Sequence, residues 1–246
     1  MSDPLDFTDR RVLVVGGSSG IGNGIARAFL DRGARVSVWG TRAGAADYAS
    51  EPGSDLSGLD YLQVDVSDDH AVERAAATVE RLDVLVLSQG AVMYRRAEFA
   101  MPGFRQVTDV NLSSVMACCA AFHPHLKARG GSAIVVSSTA AFHATRGNPA
   151  YAASKAGAVG LVRTLADAWA ADGIRGNGIA PGFVATKMTR VTTGDPRRLE
   201  AALARIPVGR LGTPADMAGA ALFLASPLAA YVVGHTIPVD GGLLLA

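Results

Sequence analysis

The chain has only two cysteines, and they are adjacent, at Cys118 and Cys119. An adjacent pair forms no disulfide framework and lacks the Cys-x-x-Cys spacing of a metal or redox site. We expect both to be small apolar residues on a buried helix, with a vicinal redox pair as the alternative. The five histidines show no metal-ligand spacing, so no metal site is predicted.

The chain also has no large excess of acidic or of basic side chains. The 246 residues include 23 basic and 22 acidic side chains, which gives a net charge of +1. This balance argues against nucleic acid or an anionic membrane surface as the main partner. No apolar run reaches the length of a transmembrane helix, and the N-terminal segment MSDPLDFTDRR lacks the apolar stretch of a secretory signal. The sequence therefore predicts a cytoplasmic protein.

What the chain does have is a regular alternation of short apolar runs and longer amphipathic segments. The runs are rich in β-branched residues and bounded by Gly or Pro, as in strands that helices cover on both faces. No linker divides residues 1–246, so the alternation predicts one α/β domain with a doubly wound parallel sheet of about seven strands and helices on both faces. The candidate strands are RVLVVGG, ARVSVWG, LDYLQVDV, DVLVLSQG, SAIVVSS, IRGNGIAPG and HTIPVDGG.

A glycine-rich turn follows the first strand. In VVGGSSGIGNGIA, Gly16, Gly20 and Gly22 lie between that strand and a helix. Glycines there allow a tight turn, close approach of the backbone to a pyrophosphate, and close packing of the helix on the strand. Amides at the helix N-terminus supply donors for the phosphates, so this context predicts a dinucleotide site. The turn also contains Ser18, Ser19 and Ile21.

The spacing Gly-x-x-x-Gly-x-Gly resembles the classical short-chain dehydrogenase/reductase (SDR) family, which implies a Rossmann-like fold and an NAD(P)(H) cofactor. In that family the residue at the end of the second strand selects the cofactor. Here this residue is Gly40, followed by Thr41 and Arg42. No carboxylate repels a 2′-phosphate and Arg42 is placed to bind one, so NADP(H) is favoured over NAD(H). Against this preference, Ser18 and Ser19 stand where NADP-using relatives often carry a base, and a solvated Arg42 is the alternative.

Further segments match the nucleotide site of the family. The resemblance implies that Asp65 holds the adenine edge and that Val66 lies beside the ring; a helix N-terminal acid is the alternative for Asp65. Gly90 of LSQG is retained from the family's Asn-Asn-Ala-Gly, whereas the asparagines are absent. The positions that match nicotinamide contacts after the sixth strand are Pro181, Gly182, Val184 and Thr186.

The segment PAYAASKAG carries Tyr151 four residues before Lys155, on one face of a predicted helix. Alone, this spacing arises by chance in many chains. In SDR enzymes the tyrosine gives a proton to the developing alkoxide, and the lysine lowers the tyrosine pKa from about 10 and holds the nicotinamide ribose. Ser138 matches the serine that polarises the carbonyl, whereas Ser137 has a structural role. Asn111 matches the family's proton-relay asparagine. The alternative is that Asn111 is a mid-helix polar residue whose side chain hydrogen-bonds a local backbone group.

The resemblance runs from about residue 8 to residue 242. It implies an alcohol dehydrogenase or carbonyl reductase that interconverts a secondary alcohol and a ketone on a small-molecule substrate. Its pocket is expected in the variable stretches 91–96, 139–148 and 183–206, with residues 186–207 as a mobile lid. The family also implies a homotetramer joined through two long helices.

Two other functions stay open at this point. A 3-oxoacyl-[acyl-carrier-protein] reductase shares all of these motifs, and the basic surface it needs for an acidic carrier is available in the lid. A dinucleotide-binding sensor or scaffold without turnover is the alternative from another class, although a sensor needs no proton donor. The basic residues in question are Arg190, Arg197, Arg198 and Arg205.

Overall fold

The structure, a computed structural model, describes residues 3–245. In this part of the chain seven strands form one parallel sheet in the order β3-β2-β1-β4-β5-β6-β7. The Rossmann-like, doubly wound α/β fold is therefore confirmed. The strands are β1 (Arg11–Val15), β2 (Arg35–Gly40), β3 (Asp60–Gln63), β4 (Val84–Leu87), β5 (Ser132–Val136), β6 (Arg175–Pro181) and β7 (Thr236–Val239).

Helices connect the strands and cover both faces of the sheet. Between residues 3 and 245, none of the helices combines the length and apolar character needed to cross a membrane. Residues 41–58, between β2 and β3, contain one short 3₁₀ turn at Ala45–Tyr48. The helices are α1 (Gly20–Asp31), α2 (Asp69–Ala76), α3 (Met101–Thr108), α4 (Ser114–Lys127), α5 (Pro149–Trp169), α6 (Arg190–Thr193), α7 (Pro196–Leu203) and α8 (Pro214–Ala225).

The helical stretch after β4, residues 101–127, is interrupted in its middle. Residues Asp109–Ser113, between α3 and α4, are wound as a π-helix. A π-helical turn holds one more residue than an α-helical turn and is frequent at functional sites. Asn111, singled out in the sequence, lies in this turn and is buried.

Two cores lie on opposite faces of the sheet because successive side chains of a strand point to opposite sides. Val12 and Val14 of β1 belong to a core that includes residues of α1 and α8. Leu13 and Val15 belong to a core with residues of α2, α4 and α5. The second core also contains both cysteines, which are free and buried on α4 as predicted, and burial raises the pKa of Cys118 to about 12.

The position of β1 in the sheet determines where a ligand crevice forms. β1 pairs with β2 on one side and with β4 on the other, so the strand order reverses between β1 and β4. In open parallel sheets a crevice forms at the carboxyl ends of the strands at such a reversal, and ligands bind there. The segments that follow β1, β4, β5 and β6 meet at this edge.

The turn after β1 packs so closely on α1 that a Cβ added at Gly22 would lie 2.3 Å from the Gly16 carbonyl oxygen. Because backbone must shift to admit that atom, we expect Gly22→Ala to lower the free energy of unfolding by about 1–3 kcal/mol in urea denaturation. Gly219→Ala is the matched control, since its added Cβ meets nothing within 4 Å on α8. That control should stabilise the helix by about 1 kcal/mol. Equal effects of the two substitutions would contradict the close approach of α1.

Candidate active site

A cavity of about 290 Å³ opens at the carboxyl edge of the sheet, between the turn after β1 and the start of α5. Three of the residues predicted for the site, Arg42, Asp65 and Asn111, do not line it. The predicted residues that do line it are Gly16, Ser18, Ser19, Gly20, Ile21, Gly22, Thr41, Val66, Gly90, Ser138, Tyr151, Lys155, Pro181, Gly182, Val184 and Thr186.

The glycine turn forms one wall of the cavity. Gly16 has a φ of 74°, in the region that favours glycine, and a Cβ there would lie 2.7 Å from the backbone nitrogen of Gln89. The N-cap residue Ser19 makes no side-chain capping hydrogen bond to α1. The helix start thus offers backbone donors and the positive end of its dipole to an anion, in a cradle that larger residues would fill. These residues fit the pyrophosphate of a dinucleotide.

Tyr151 and Lys155 line the opposite wall, one turn apart on α5. The Lys155 Nζ lies 5.8 Å from the centroid of the Tyr151 ring and donates to the Val136 carbonyl oxygen at 2.9 Å. Burial lowers the pKa of Lys155 to about 8, because water no longer solvates the ammonium. The Ser137 hydroxyl donates to the Lys155 carbonyl at 2.8 Å, which joins α5 to the end of β5.

The expected lowering of the Tyr151 pKa by Lys155 is not what this geometry gives. Burial raises the pKa of Tyr151, and contact with the Ser138 hydroxyl opposes that shift only in part. The ammonium is directed to the Val136 carbonyl instead of the phenol oxygen. The Ser138 Oγ accepts the N–H of Ala140 at 3.1 Å, so its own proton is free to be donated to another oxygen.

Asn111 lies behind the cavity wall. Its Oδ1 accepts the N–H of Ala91 at 2.7 Å, and its Nδ2 donates to the Ala91 carbonyl at 2.9 Å and to the Ser154 Oγ at 3.1 Å. These bonds tie the π-helical turn to the segment after β4 and to α5. A backbone-satisfying role, the alternative given by the sequence, is therefore present in the structure. A Cβ at Gly90 would lie 3.6 Å from the Asn111 Oδ1 and 3.6 Å from the Lys155 Nζ, so both side chains border Gly90.

Arg42 is engaged inside the 41–58 segment. Its Nη2 lies 2.5 Å from the Glu51 Oε2, and its guanidinium carbon lies 4.4 Å from the centroid of the Tyr48 ring. The Tyr48 hydroxyl accepts the N–H groups of Thr41 and Arg42, each at 3.2 Å. A Cβ at Gly40 would lie 2.8 Å from that hydroxyl. The absence of a side chain at Gly40 therefore leaves room for the Tyr48 hydroxyl. The sequence did not indicate this contact, because an irregular loop separates Gly40 from Tyr48.

Asp65 is outside the cavity lining for a local reason. Its Oδ1 accepts the backbone N–H of Ser67 at 3.0 Å and the Ser67 hydroxyl at 2.7 Å. These hydrogen bonds lower the pKa of Asp65. The carboxylate thus organises the turn after β3, while the neighbouring Val66 lines the cavity.

Residues 187–189 cover one side of the cavity. Glu51 reaches this segment from the 41–58 side, 3.2 Å from the Lys187 Nζ and 3.8 Å from the Arg190 Nη2. From the other side, the Tyr94 hydroxyl donates to the Met188 carbonyl. Contacts from both flanks therefore hold this segment over the crevice.

Comparisons with known proteins agree with this geometry. The sequence model of a family described as enoyl-(acyl carrier protein) reductase matches residues 15–244. The 3-oxoacyl-[acyl-carrier-protein] reductase of Chlamydia muridarum is 36% identical over 96% of this chain and 98% of its own. Galactitol 2-dehydrogenase (L-tagatose-forming) of Cereibacter sphaeroides is 40% identical over 93% of this chain and 92% of its own.

A solved structure extends the similarity to three dimensions. The NADP active-site complex of RhlG from Pseudomonas aeruginosa is 35% identical, covers 99% of both chains and superposes with a TM-score of 0.90. The resemblance seen in the motifs is thus confirmed over nearly the whole chain. The chain belongs to the classical short-chain dehydrogenase/reductase family, whose members bind NAD(P).

Proposed function

We propose that this chain is an NAD(P)(H)-dependent oxidoreductase that interconverts a secondary alcohol and a ketone, with Tyr151 as the acid and base. One observation carries the proposal. The tyrosine, Lys155 and Ser138 line the same cavity as the glycine turn that fits a pyrophosphate. A nucleotide on that turn and a carbonyl near Ser138 would therefore lie in one crevice.

The chemistry divides between the cofactor and the protein. A nicotinamide bound in this cavity would supply or accept the hydride. The Ser138 hydroxyl donates a hydrogen bond to the carbonyl oxygen, where negative charge develops. Tyr151, protonated at neutral pH because burial raises its pKa, gives its proton to that oxygen. Lys155 supplies a buried positive charge 5.8 Å from the centroid of the Tyr151 ring, and Asn111 holds the backbone of Ala91.

Substitution of the proton donor tests this mechanism. We expect Tyr151→Phe to lower kcat for ketone reduction by about 10²–10⁴-fold, because the proton transfer is lost. The dissociation constant of NADPH, measured by nicotinamide fluorescence, should stay within about twofold of the parent value because the glycine turn is unchanged. Tyr231→Phe is the control, since Tyr231 is fully exposed. A Tyr151→Phe protein with the parent kcat would refute the assignment.

The segment after β2 bears on the choice between NADP(H) and NAD(H). No carboxylate stands at Gly40 to repel a 2′-phosphate, which favours NADP(H) over NAD(H). Arg42 is already paired with Glu51, so a 2′-phosphate has to share this guanidinium with a carboxylate. We propose that Arg42 binds the phosphate in competition with Glu51.

Substitution of Arg42 and substitution of Glu51 should have opposite effects on the affinity for NADPH. Arg42→Ala should weaken NADPH binding by about tenfold or more, the value of a charge-assisted hydrogen bond, and leave NADH binding nearly unchanged. Glu51→Gln should tighten NADPH binding, because the guanidinium loses its competitor. Equal losses for NADPH and NADH in the Arg42→Ala protein, measured by calorimetry, would count against the phosphate contact.

We also propose that residues 1–246 are one domain and that residues 186–207 are its substrate lid. The lid contains a 3₁₀ turn at Lys187–Thr189 and the helices α6 and α7. Its contacts to Glu51 and Tyr94 are side-chain bonds that opening would break at modest cost.

Limited proteolysis tests the lid. Trypsin should cut after Lys187, Arg190, Arg197 or Arg198 in the free protein, because these residues are exposed on short helices. Cofactor and substrate together should slow cleavage more than cofactor alone, since the ligand orders the segment. Cleavage that neither addition changes would argue against a lid.

Two classes of substrate fit the proposed reaction. A small-molecule ketone or secondary alcohol is the leading substrate, and a 3-oxoacyl thioester on an acidic carrier is the second candidate. The exposed Arg190 and Arg198 of the lid favour the second, as does the similarity to the Chlamydia reductase.

We propose a homotetramer through α4 and α5, because Ala153, Ala156 and Gly160 form an exposed stripe of small residues on α5. The cytoplasmic location stays a prediction of the sequence.

A further inference from the structure

Glu98 is a buried carboxylate that the proposed mechanism does not use. It lies in the 3₁₀ turn Ala97–Phe99 between β4 and α3, and 0% of the residue is exposed. Burying a carboxylate costs free energy unless its oxygens accept hydrogen bonds. The identity of its donors therefore indicates what it does.

Three donors surround this carboxylate. The Glu98 Oε2 accepts the backbone N–H of Tyr151 at 2.9 Å. The Oε1 accepts the backbone N–H of Met93 at 3.0 Å and the Asn148 Nδ2 at 3.1 Å. A carboxylate, which only accepts when ionised, suits a site composed of donors. Met93 belongs to the expected substrate segment 91–96, whereas Asn148 and Tyr151 belong to the start of α5.

The start of α5 explains why an external acceptor is needed. The N-cap residue, Asn148, makes no side-chain capping bond, and Pro149 has no N–H. The N–H of Tyr151 belongs to the first turn, where a helix has no internal acceptor. Glu98 satisfies this donor from a distant part of the chain and places an acidic group at the positive end of the helix.

We propose that Glu98 is a positioning residue for Tyr151. Through one carboxylate it fixes the backbone of the tyrosine to that of the substrate segment. It thereby sets the distance between the phenol hydroxyl and a carbonyl bound against residues 91–96. This inference rests on the proposed role of Tyr151 as proton donor.

Glu98 also acts on the tyrosine through its charge. The ionisable groups around the Tyr151 phenol are Lys155 on α5 and, from the segment after β4, Tyr94 and Glu98. Burial raises the pKa of Tyr151, and the negative charge of Glu98 raises it further. Alcohol oxidation needs the deprotonated phenol as base. Removing the Glu98 charge lowers the pKa of Tyr151, so the rise of oxidation rate with pH should move to lower pH.

Glu98→Gln tests both effects. We expect kcat to fall by about 10- to 100-fold, because the phenol is displaced relative to the carbonyl. The pH at which oxidation reaches half its maximum should decrease, and the NADPH dissociation constant should stay within about twofold because the glycine turn is intact. Glu98→Asp, which keeps the charge, should restore the parent pH dependence. Glu73→Gln is the matched control, because this glutamate is 70% exposed on α2.

Parent kcat and parent pH dependence in the Glu98→Gln protein would overturn the inference. If thermal melting shows that this protein does not fold, Asn148→Ala removes one donor and keeps the carboxylate. That variant should raise KM and lower kcat by about threefold or more, since the Met93 contacts are loosened, and unchanged constants would equally overturn the inference. Tyr151→Phe is assayed in parallel. An active Tyr151→Phe protein refutes the proposed function, whereas an inactive one beside a normal Glu98→Gln protein refutes only the role of Glu98.

Discussion

The parallel pairing of β1 with both β2 and β4 is the constraint on which the site depends. Because the strand order reverses there, the turns after β1 and β4 diverge and leave a crevice that no crossover helix fills. The close approach of Gly22 to Gly16 then places the first turn of α1 at that crevice. The same edge receives β5 and β6, so segments that are distant in sequence contribute to one cavity.

Buried polar groups hold the second wall of the cavity in place. Lys155 donates to Val136, Asn111 exchanges hydrogen bonds with Ala91, and Glu98 accepts from Tyr151. In a low-dielectric interior each of these groups is costly if unpaired, so each pair restricts the position of its backbone. Hydrogen bonds between elements therefore fix the positions of Tyr151 and Lys155 in addition to the helix that carries them.

The sheet, its helices and most of the cavity lining could be predicted from the sequence, because hydrophobic runs indicate local structure and short motifs indicate the family. The partners of Arg42 could not be predicted, because Tyr48 and Glu51 lie in a loop without hydrophobic periodicity. Glu98 was missed for a related reason: its donor on α5 lies 53 residues away, and only the folded topology brings them together. The π-helical turn at Asn111 was missed because one extra residue barely changes the hydrophobic pattern.

Hydride transfer is the central claim, and isotope transfer tests it most directly. The protein would be incubated with a panel of ketones, including a 3-oxoacyl thioester, and NADPH deuterated at the hydride-bearing carbon. The alcohol product would then be analysed by mass spectrometry. We expect one deuterium on the carbinol carbon of at least one product. Binding of NADPH without deuterium transfer to any ketone of the panel would contradict it and favour a dinucleotide sensor.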